Sequence, residues 1–348
     1  MMTCSQQDSG KKGTVMIVTR TPFRVSLFGG GTDYPQWYKE HGGAVLGMAI
    51  NKHCYISVRT LPPFFEHKHR IVYSKIENVR DVSEIDHPSV RAILTEWSPE
   101  EGLEIHHDGD LPARSGIASS SAFTVGLLNA LYSSRGQRLS KQALAREAIR
   151  IEQDVIGENV GSQDQIWAAH GGFNRIDFMP GADAVVTPVV MEASREKGLK
   201  DCLMLFFSGL SRCSTIIAGK KIKNLKSKSR SLHVMREMVD EAYDIMGSPT
   251  RDMKEIGGLL HESWLLKRDL AEGVSNGEID DIYEAAREAG AVGGKVLGAG
   301  GGGFVLLYVE PEHQDRVRQR LSRLIEVSFD VDTNGSTVVV YQPDGFAA

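Results

Sequence analysis

Residues 110–134, DLPARSGIASSSAFTVGLLNALYSS, pass from a Pro/Gly/Ser loop straight into an apolar helical pattern. This junction constrains the fold more than any other stretch. Apolar positions fall mainly on one helical face and Gly136 stops the pattern, so a helix is predicted from about Ser119. Such a helix needs an apolar surface to lie on, and the preceding sequence supplies one. From Met16, the segments MIVTR, FRVSLF, VLGMAIN and CYISVRT are β-branched or alternating and read as a mixed or antiparallel sheet.

The next segment, SKQALAREAIRIEQDVIGEN, places Leu144, Ala148, Ile151 and Val155 at helical spacing behind Ser140 as N-cap. A short helix between Gly161-Ser162 and Gly171-Gly172 brings Asp164 into its first turn. Strands follow at VVTPVV and LMLFF. The second half is helical and charged from about 215 to 290, with breaks at Gly247-Ser248-Pro249 and Asn276-Gly277. It closes with the strand patterns FVLLYV, LIEVSFD and TVVVY. Helices on one side of a sheet, twice over, indicate an α+β chain of two halves, which 348 residues with 41% apolar content can support. The expected division is a loose polar extension at 1–13, an N-terminal half at 14–200 and a C-terminal half at 201–348.

The balance of 40 Lys and Arg against 45 Asp and Glu gives a net charge of −5, which supplies no global field for nucleic acid or a membrane surface. Neither is expected as a partner, so any basic site must be local. Cys4, Cys54, Cys202 and Cys213 stand far apart without a CxxC pair, which fits reduced thiols in a cytoplasm. No apolar run nears the ~20 residues that span a bilayer, and the N-terminus lacks a signal-peptide core. The basic run KKIKNLKSKSR at 220–230 reads as a solvated helix face or mobile loop. His106 and His107, adjacent on a strand, point to opposite faces and cannot share a metal.

Three motifs carry chemistry. The Asp110–Ala122 loop aims backbone N–H groups and a positive helix end at one place, a phosphate site, with hydroxyls that suit Mg²⁺. Taken alone it serves equally as a Ser-rich cap, and it is not a Walker A loop. In GAGGGGFVLLYV, residues 298–309, four consecutive glycines allow close approach of a ligand or of another segment, or form a plain turn. In TPFRVSLFGGGTDYP, residues 21–35, Arg24 lies in an apolar strand and needs a partner, either in a site or in a supporting salt bridge.

Taken together, in this order, the three motifs resemble those of the GHMP kinases, the family of galactokinase, mevalonate kinase and homoserine kinase. The correspondence runs through Pro22–Tyr34, Pro112–Ala122 and Lys295–Phe304. The resemblance implies a ribosomal-protein-S5-like N-terminal domain and a ferredoxin-like C-terminal domain, with ATP and Mg²⁺ as cofactors. It implies that Arg114, Ser115, Gly116, Ile117, Ala118, Ser119, Ser120 and Ser121 form the ATP-phosphate loop, and that Ser120 and Glu152 hold the metal. Asp164 matches the base or orienting aspartate, and Arg24 the basic residue that faces the transferred phosphate and lowers the pKa of Asp164.

The substrate loop is Gly29-Gly30-Gly31-Thr32-Asp33, where galactokinases have Gly-Glu-His-Thr-Asp. Losing that acid removes bulk and negative charge, so the expectation is a larger, anionic acceptor. The loop also resembles the branch containing D-glycero-D-manno-heptose 7-phosphate kinases and fucose kinase domains. This implies anomeric phosphorylation of a heptose 7-phosphate; a free sugar such as fucose, or a non-catalytic sensor, stands as the alternative. Gly30, Gly31, Thr32 and Asp33, with Gly301 and Gly302, are expected at the sugar. Arg212, Lys267 and Lys295 are the candidates for its phosphate.

Overall fold

A computed structural model describes residues 15–210 and 214–343. Its strands are β1 (Met16–Phe28), β2 (Gly43–Leu61), β3 (His69–Val72), β4 (Ile76–Val79), β5 (Gly102–Gly109), β6 (Phe173–Phe178), β7 (Val185–Pro188), β8 (Leu203–Phe207), β9 (Gly293–Val296), β10 (Phe304–Tyr308), β11 (Ile325–Glu326) and β12 (Thr337–Gln342). Its helices are α1 (Pro35–His41), α2 (Pro88–Trp97), α3 (Ser119–Ser134), α4 (Lys141–Arg150), α5 (Gln163–His170), α6 (Ala193–Cys202), α7 (Ser214–Asn224), α8 (Ser229–Gly247), α9 (Lys254–Asp269), α10 (Gly277–Glu288) and α11 (Pro311–Arg320). Residues 211–213 lie outside the description, and with them Arg212.

The first sheet runs β12-β1-β2-β5-β3-β4, with β6 on the other stretch of β2 and β7 beside it. All pairings are antiparallel except β3 with β5. The segments VLGMAIN and CYISVRT, expected as separate strands, are one strand of 19 residues. Its length lets it pair with β6 through Gly43–Met48 and with β5 through Cys54–Leu61. β1 alternates in burial over Met16–Arg20 and is buried without interruption over Thr21–Phe28. There α3 and α5 pack on it, as do α8 and α9 from the second half. The stretch of β1 that carries Arg24 is therefore buried throughout.

α3 departs from the one-sided pattern expected of it: Ser121–Leu128 are all buried, because β1 and β2 flank it together with α2, α4 and α5. Ser140 caps α4 by accepting from the Ala143 N–H at 3.1 Å. α5 ends at Gly171, as the Gly pair predicts.

The second sheet is β11-β8-β10-β9, all antiparallel, with α9 against β9 and β10. Of LIEVSFD only Ile325–Glu326 is strand. The final strand, TVVVY, does not stay with this half: β12 pairs with β1, from Met16 opposite Gln342 to Arg20 opposite Thr337. On the way back, Asp332 meets buried His53 of β2 at 2.9 Å. A hydrophobic edge on β1 is thereby covered.

Candidate active site

Arg24 is buried in the middle of β1 and finds its partner on α5. Its Nε donates to Asp164 Oδ1 at 2.8 Å and its Nη2 to Asp164 Oδ2 at 2.9 Å. Nη1 donates to the Gly116 carbonyl at 2.6 Å, so the same guanidinium holds both the carboxylate and the phosphate-loop candidate. Burial raises the Asp164 pKa above the ordinary carboxylate range, Arg24 pulls it back and Asp33 adds to the rise. Arg24 thus lowers it as expected, but desolvation sets the net direction.

Asp33 is presented by the turn after β1. Its Oδ1 accepts from Gly31 N–H at 2.8 Å and its Oδ2 from Gln163 Nε2 at 2.7 Å. The hydroxyl of Thr32 is occupied by the backbone: it lies 2.9 Å from the Gly29 carbonyl and 2.8 Å from that of Ala44. Thr32, expected at the sugar, holds the turn that presents Asp33.

Three lysines of the second half lie close enough to Asp33 to feel its charge. Lys295 on β9 is 1% exposed and donates to the Leu27 carbonyl at 2.7 Å, and Lys267 on α9 is 4% exposed and donates to the Val296 carbonyl at 2.6 Å. The third, Lys221, corrects the reading of its basic run. It is 5% exposed, on the face of α7 that also buries Ile217, Ala218 and Leu225. The apolar residues three and four positions before it and four after it were the available signal. Its neighbours fit the solvated reading, Lys220 pairing with Glu272 and Lys228 with Asp269. Burial depresses all three lysines: Lys221 to about 8, Lys295 to about 7, and Lys267 well below its ordinary value. Mutual repulsion, with Arg24 also contributing, lowers Lys267 and Lys295 further.

The Ser-rich loop that leads into α3 has an unusual backbone. Arg114, Gly116 and Ala118 have φ of 60°, 84° and 68°, alternating with ordinary residues as in an anion-binding nest. No side chain caps α3, which removes the plain capping alternative and leaves first-turn N–H groups for an anion. Several side chains of the loop serve the fold: Ser115 Oγ donates to the Pro112 carbonyl at 2.6 Å, Ile117 is core, and Ser119 Oγ accepts from Arg114 N–H at 3.2 Å. The glycine run 298–303 clasps this loop from behind. A Cβ on Gly298 would stand 2.6 Å from Gly116 Cα, and Phe304 N–H donates to the Ser115 carbonyl at 3.1 Å. Gly301, expected at the substrate, donates its N–H to Val274, and Gly302 packs against Leu210.

Glu152 is 1% exposed, in a π-helical turn over Ile151–Val155. Its Oε2 accepts from Ser121 Oγ at 2.9 Å and from Gln165, whereas Oε1 is buried without a partner. Burial raises its pKa to about 7. A buried, unsatisfied carboxylate oxygen beside serine hydroxyls and a phosphate-type loop fits Mg²⁺, a hard ion that takes few protein oxygens. Ser121 touches Glu152; Ser120 is exposed on the same turn. Sequence reasoning missed Ser121 as the contacting serine, along with Gln163 and Gln165.

The family model described as GHMP kinases N terminal domain matches residues 87–172, and that described as GHMP kinases C terminal matches residues 238–326. The chain is a GHMP kinase. The D-glycero-alpha-D-manno-heptose 7-phosphate kinase of Campylobacter jejuni is 29% identical over 85% of this chain and 90% of its own. The bifunctional fucokinase/GDP-fucose pyrophosphorylase of Arabidopsis thaliana is 26% identical over 89% of this chain, which spans 31% of that protein. A D-glycero-D-manno-heptose 1-phosphate kinase structure from Bacteroides thetaiotaomicron superposes with TM-score 0.74 at 22% identity, covering 94% of this chain and 100% of the other. Lactococcus lactis galactokinase complexed with galactose gives 0.68 at 19% identity, over 93% and 95% of the two chains. The GHMP fold in two α+β parts and a phosphotransferase activity with an alcohol acceptor follow from the family. So does ATP as phosphate donor. Among the described residues, no helix is long and apolar enough to cross a membrane.

Proposed function

We propose that this kinase phosphorylates the anomeric hydroxyl of D-glycero-D-manno-heptose 7-phosphate to give the 1,7-bisphosphate, a step towards nucleotide-activated heptose for surface polysaccharide. The observation that carries the reading is the charge of the sugar end of the cleft. Arg24, Lys221, Lys267 and Lys295 are buried there against the two carboxylates of Asp33 and Asp164. Burial and mutual repulsion push these lysines towards the neutral form; a neutral sugar brings nothing to hold their protons, whereas an acceptor with its own phosphate does. Similarity to the Campylobacter heptose 7-phosphate kinase points the same way.

In this reading Asp164, oriented by Arg24, accepts the proton of the anomeric hydroxyl as its oxygen bonds to the γ-phosphorus and ADP leaves. Asp33 hydrogen-bonds sugar hydroxyls. The inward N–H groups of residues 114–121 hold the ATP phosphates. Glu152, with the hydroxyl of Ser120 or Ser121, holds Mg²⁺, which neutralises phosphate charge when bound. Lys267 and Lys295, joined by Lys221, hold the sugar phosphate.

The test is ADP release with ATP–Mg²⁺ and a panel of heptose 7-phosphate, free heptose, mannose, fucose and galactose, with phosphorus NMR on the product. A new anomeric phosphate from the 7-phosphate alone is expected. Turnover confined to fucose would replace this reading with the one that fucokinase relatives support. Binding without turnover would make the chain a sensor.

A further inference from the structure

Three consecutive residues at the start of α5 each hold a different functional side chain. Gln163 is 7% exposed, and its Nε2 donates to Asp33 Oδ2 at 2.7 Å. Asp164 takes the fork of Arg24. Gln165 is 0% exposed, and its Nε2 donates to Glu152 Oε2, the oxygen that also accepts from Ser121. Neighbouring residues of a helix point about 100° apart, so one turn fans three side chains towards three directions. Their partners come from the turn after β1, from β1 itself and from the π-helical turn after α4.

The start of α5 is tied to the same two turns by its backbone and cap. Ser162 N–H donates to the Asp33 carbonyl at 2.9 Å, and Ser162 Oγ accepts from Gln153 of the π-helical turn at 3.0 Å. A Cβ on Gly161 would stand 1.8 Å from Asp33 Oδ2, so the chain enters α5 pressed against that carboxylate. Gly30 borders the Gln163 amide, with a Cβ there 3.8 Å from Nε2. The residue types follow from what is held. A neutral amide donates to a carboxylate without bringing a countercharge, so Asp33 and Glu152 are oriented and not neutralised. Partners of this kind, one step behind a metal ligand, tune its affinity.

We infer that the first turn of α5 is the positioning element of the site: Gln163 sets Asp33 and Gln165 sets Glu152, each relative to the Asp164 that lies between them. Neither glutamine touches a reacting atom, and each acts through its carboxylate. The inference rests on the roles proposed above for Asp33 at the acceptor and for Glu152 at Mg²⁺.

The test uses Gln165→Met and Gln163→Met, which keep bulk and remove the donor, beside Glu152→Gln and Asp33→Asn as references. Mn²⁺ is titrated into each enzyme with ADP present and followed by electron paramagnetic resonance, and binding of the panel sugar that binds best is measured by calorimetry. Gln165→Met is expected to weaken Mn²⁺ binding about 10-fold or more and to leave sugar affinity within about twofold. Gln163→Met should do the reverse, weakening the sugar about 3- to 10-fold with Mn²⁺ affinity unchanged. A general loss of structure would move both affinities together. Equal shifts in both, or wild-type affinities in the two Met variants beside weakened references, would overturn the positioning role. Wild-type Mn²⁺ binding in Glu152→Gln, or wild-type sugar binding in Asp33→Asn, instead removes the role proposed for that carboxylate, and its glutamine falls with it. Where one Met variant shows no folded transition in a thermal melt, the other arm decides alone.

Discussion

Asp164 sits in competing fields. Burial pushes its carboxyl up, and the bidentate Arg24 pulls it back. Replacing it with Asn keeps the shape and removes the proton acceptor, so Asp164→Asn should lower kcat by about 10²–10⁴-fold while sugar KM moves far less. Steady-state ADP release checks this, and wild-type kcat in the variant would remove Asp164 from the mechanism. Lys295 makes a second prediction. Its pKa is about 7 in the fold against 10.5 for the free side chain. Between those values the unfolded chain holds the proton that the folded chain sheds, so the ligand-free protein gains stability as pH rises from about 7 towards 10.5. Lys295→Met should flatten that rise in thermal melts, whereas an unchanged slope would place the titration elsewhere. Arg24, Asp33, Glu152 and Asp164 were legible as residue types in motifs. Lys221 was hidden because a basic run looks solvated unless its helical phase is read against Ile217, Ala218 and Leu225.

At the scale of elements, the phosphate loop depends on a clasp from the other half of the chain. Gly298 has φ of 63°, and any Cβ there meets Gly116 Cα at 2.6 Å. Gly298→Ala should therefore destabilise the protein by about 1–3 kcal/mol and raise ATP KM, because strain and displacement act on one loop. Urea melts and ATP titrations measure the two effects; a variant with wild-type values in both would show the clasp to be slack. The sequence offered the glycines as an approach for a ligand or another segment, or as a turn. The structure makes them packing surfaces, a distinction that depends on which segment lies 2.6 Å away. The helix starts at Ser119 and Gln163 were legible because local punctuation sets them. The burial of α3 nearly all round was not, because it depends on neighbours far along the chain.

For the whole molecule, the consequential feature is the return of β12 to β1. The N-terminal half alone, residues 14–200, would expose that edge and the part of β1 covered by α8 and α9. As a separate fragment it should aggregate or fail to melt cooperatively, and adding residues 330–348 alone should not suffice. A soluble fragment with a sharp thermal transition would contradict this. By itself the sequence determined the α+β class, most element boundaries, the order of the three motifs and the residue types of the site, since these follow from local periodicity and turn chemistry. Only the tertiary structure decided that Ser121 touches Glu152, that Gly298 packs against Gly116 and that the last strand joins the first sheet. Each of those rests on contacts between segments tens to hundreds of residues apart, whose distances local pattern does not encode.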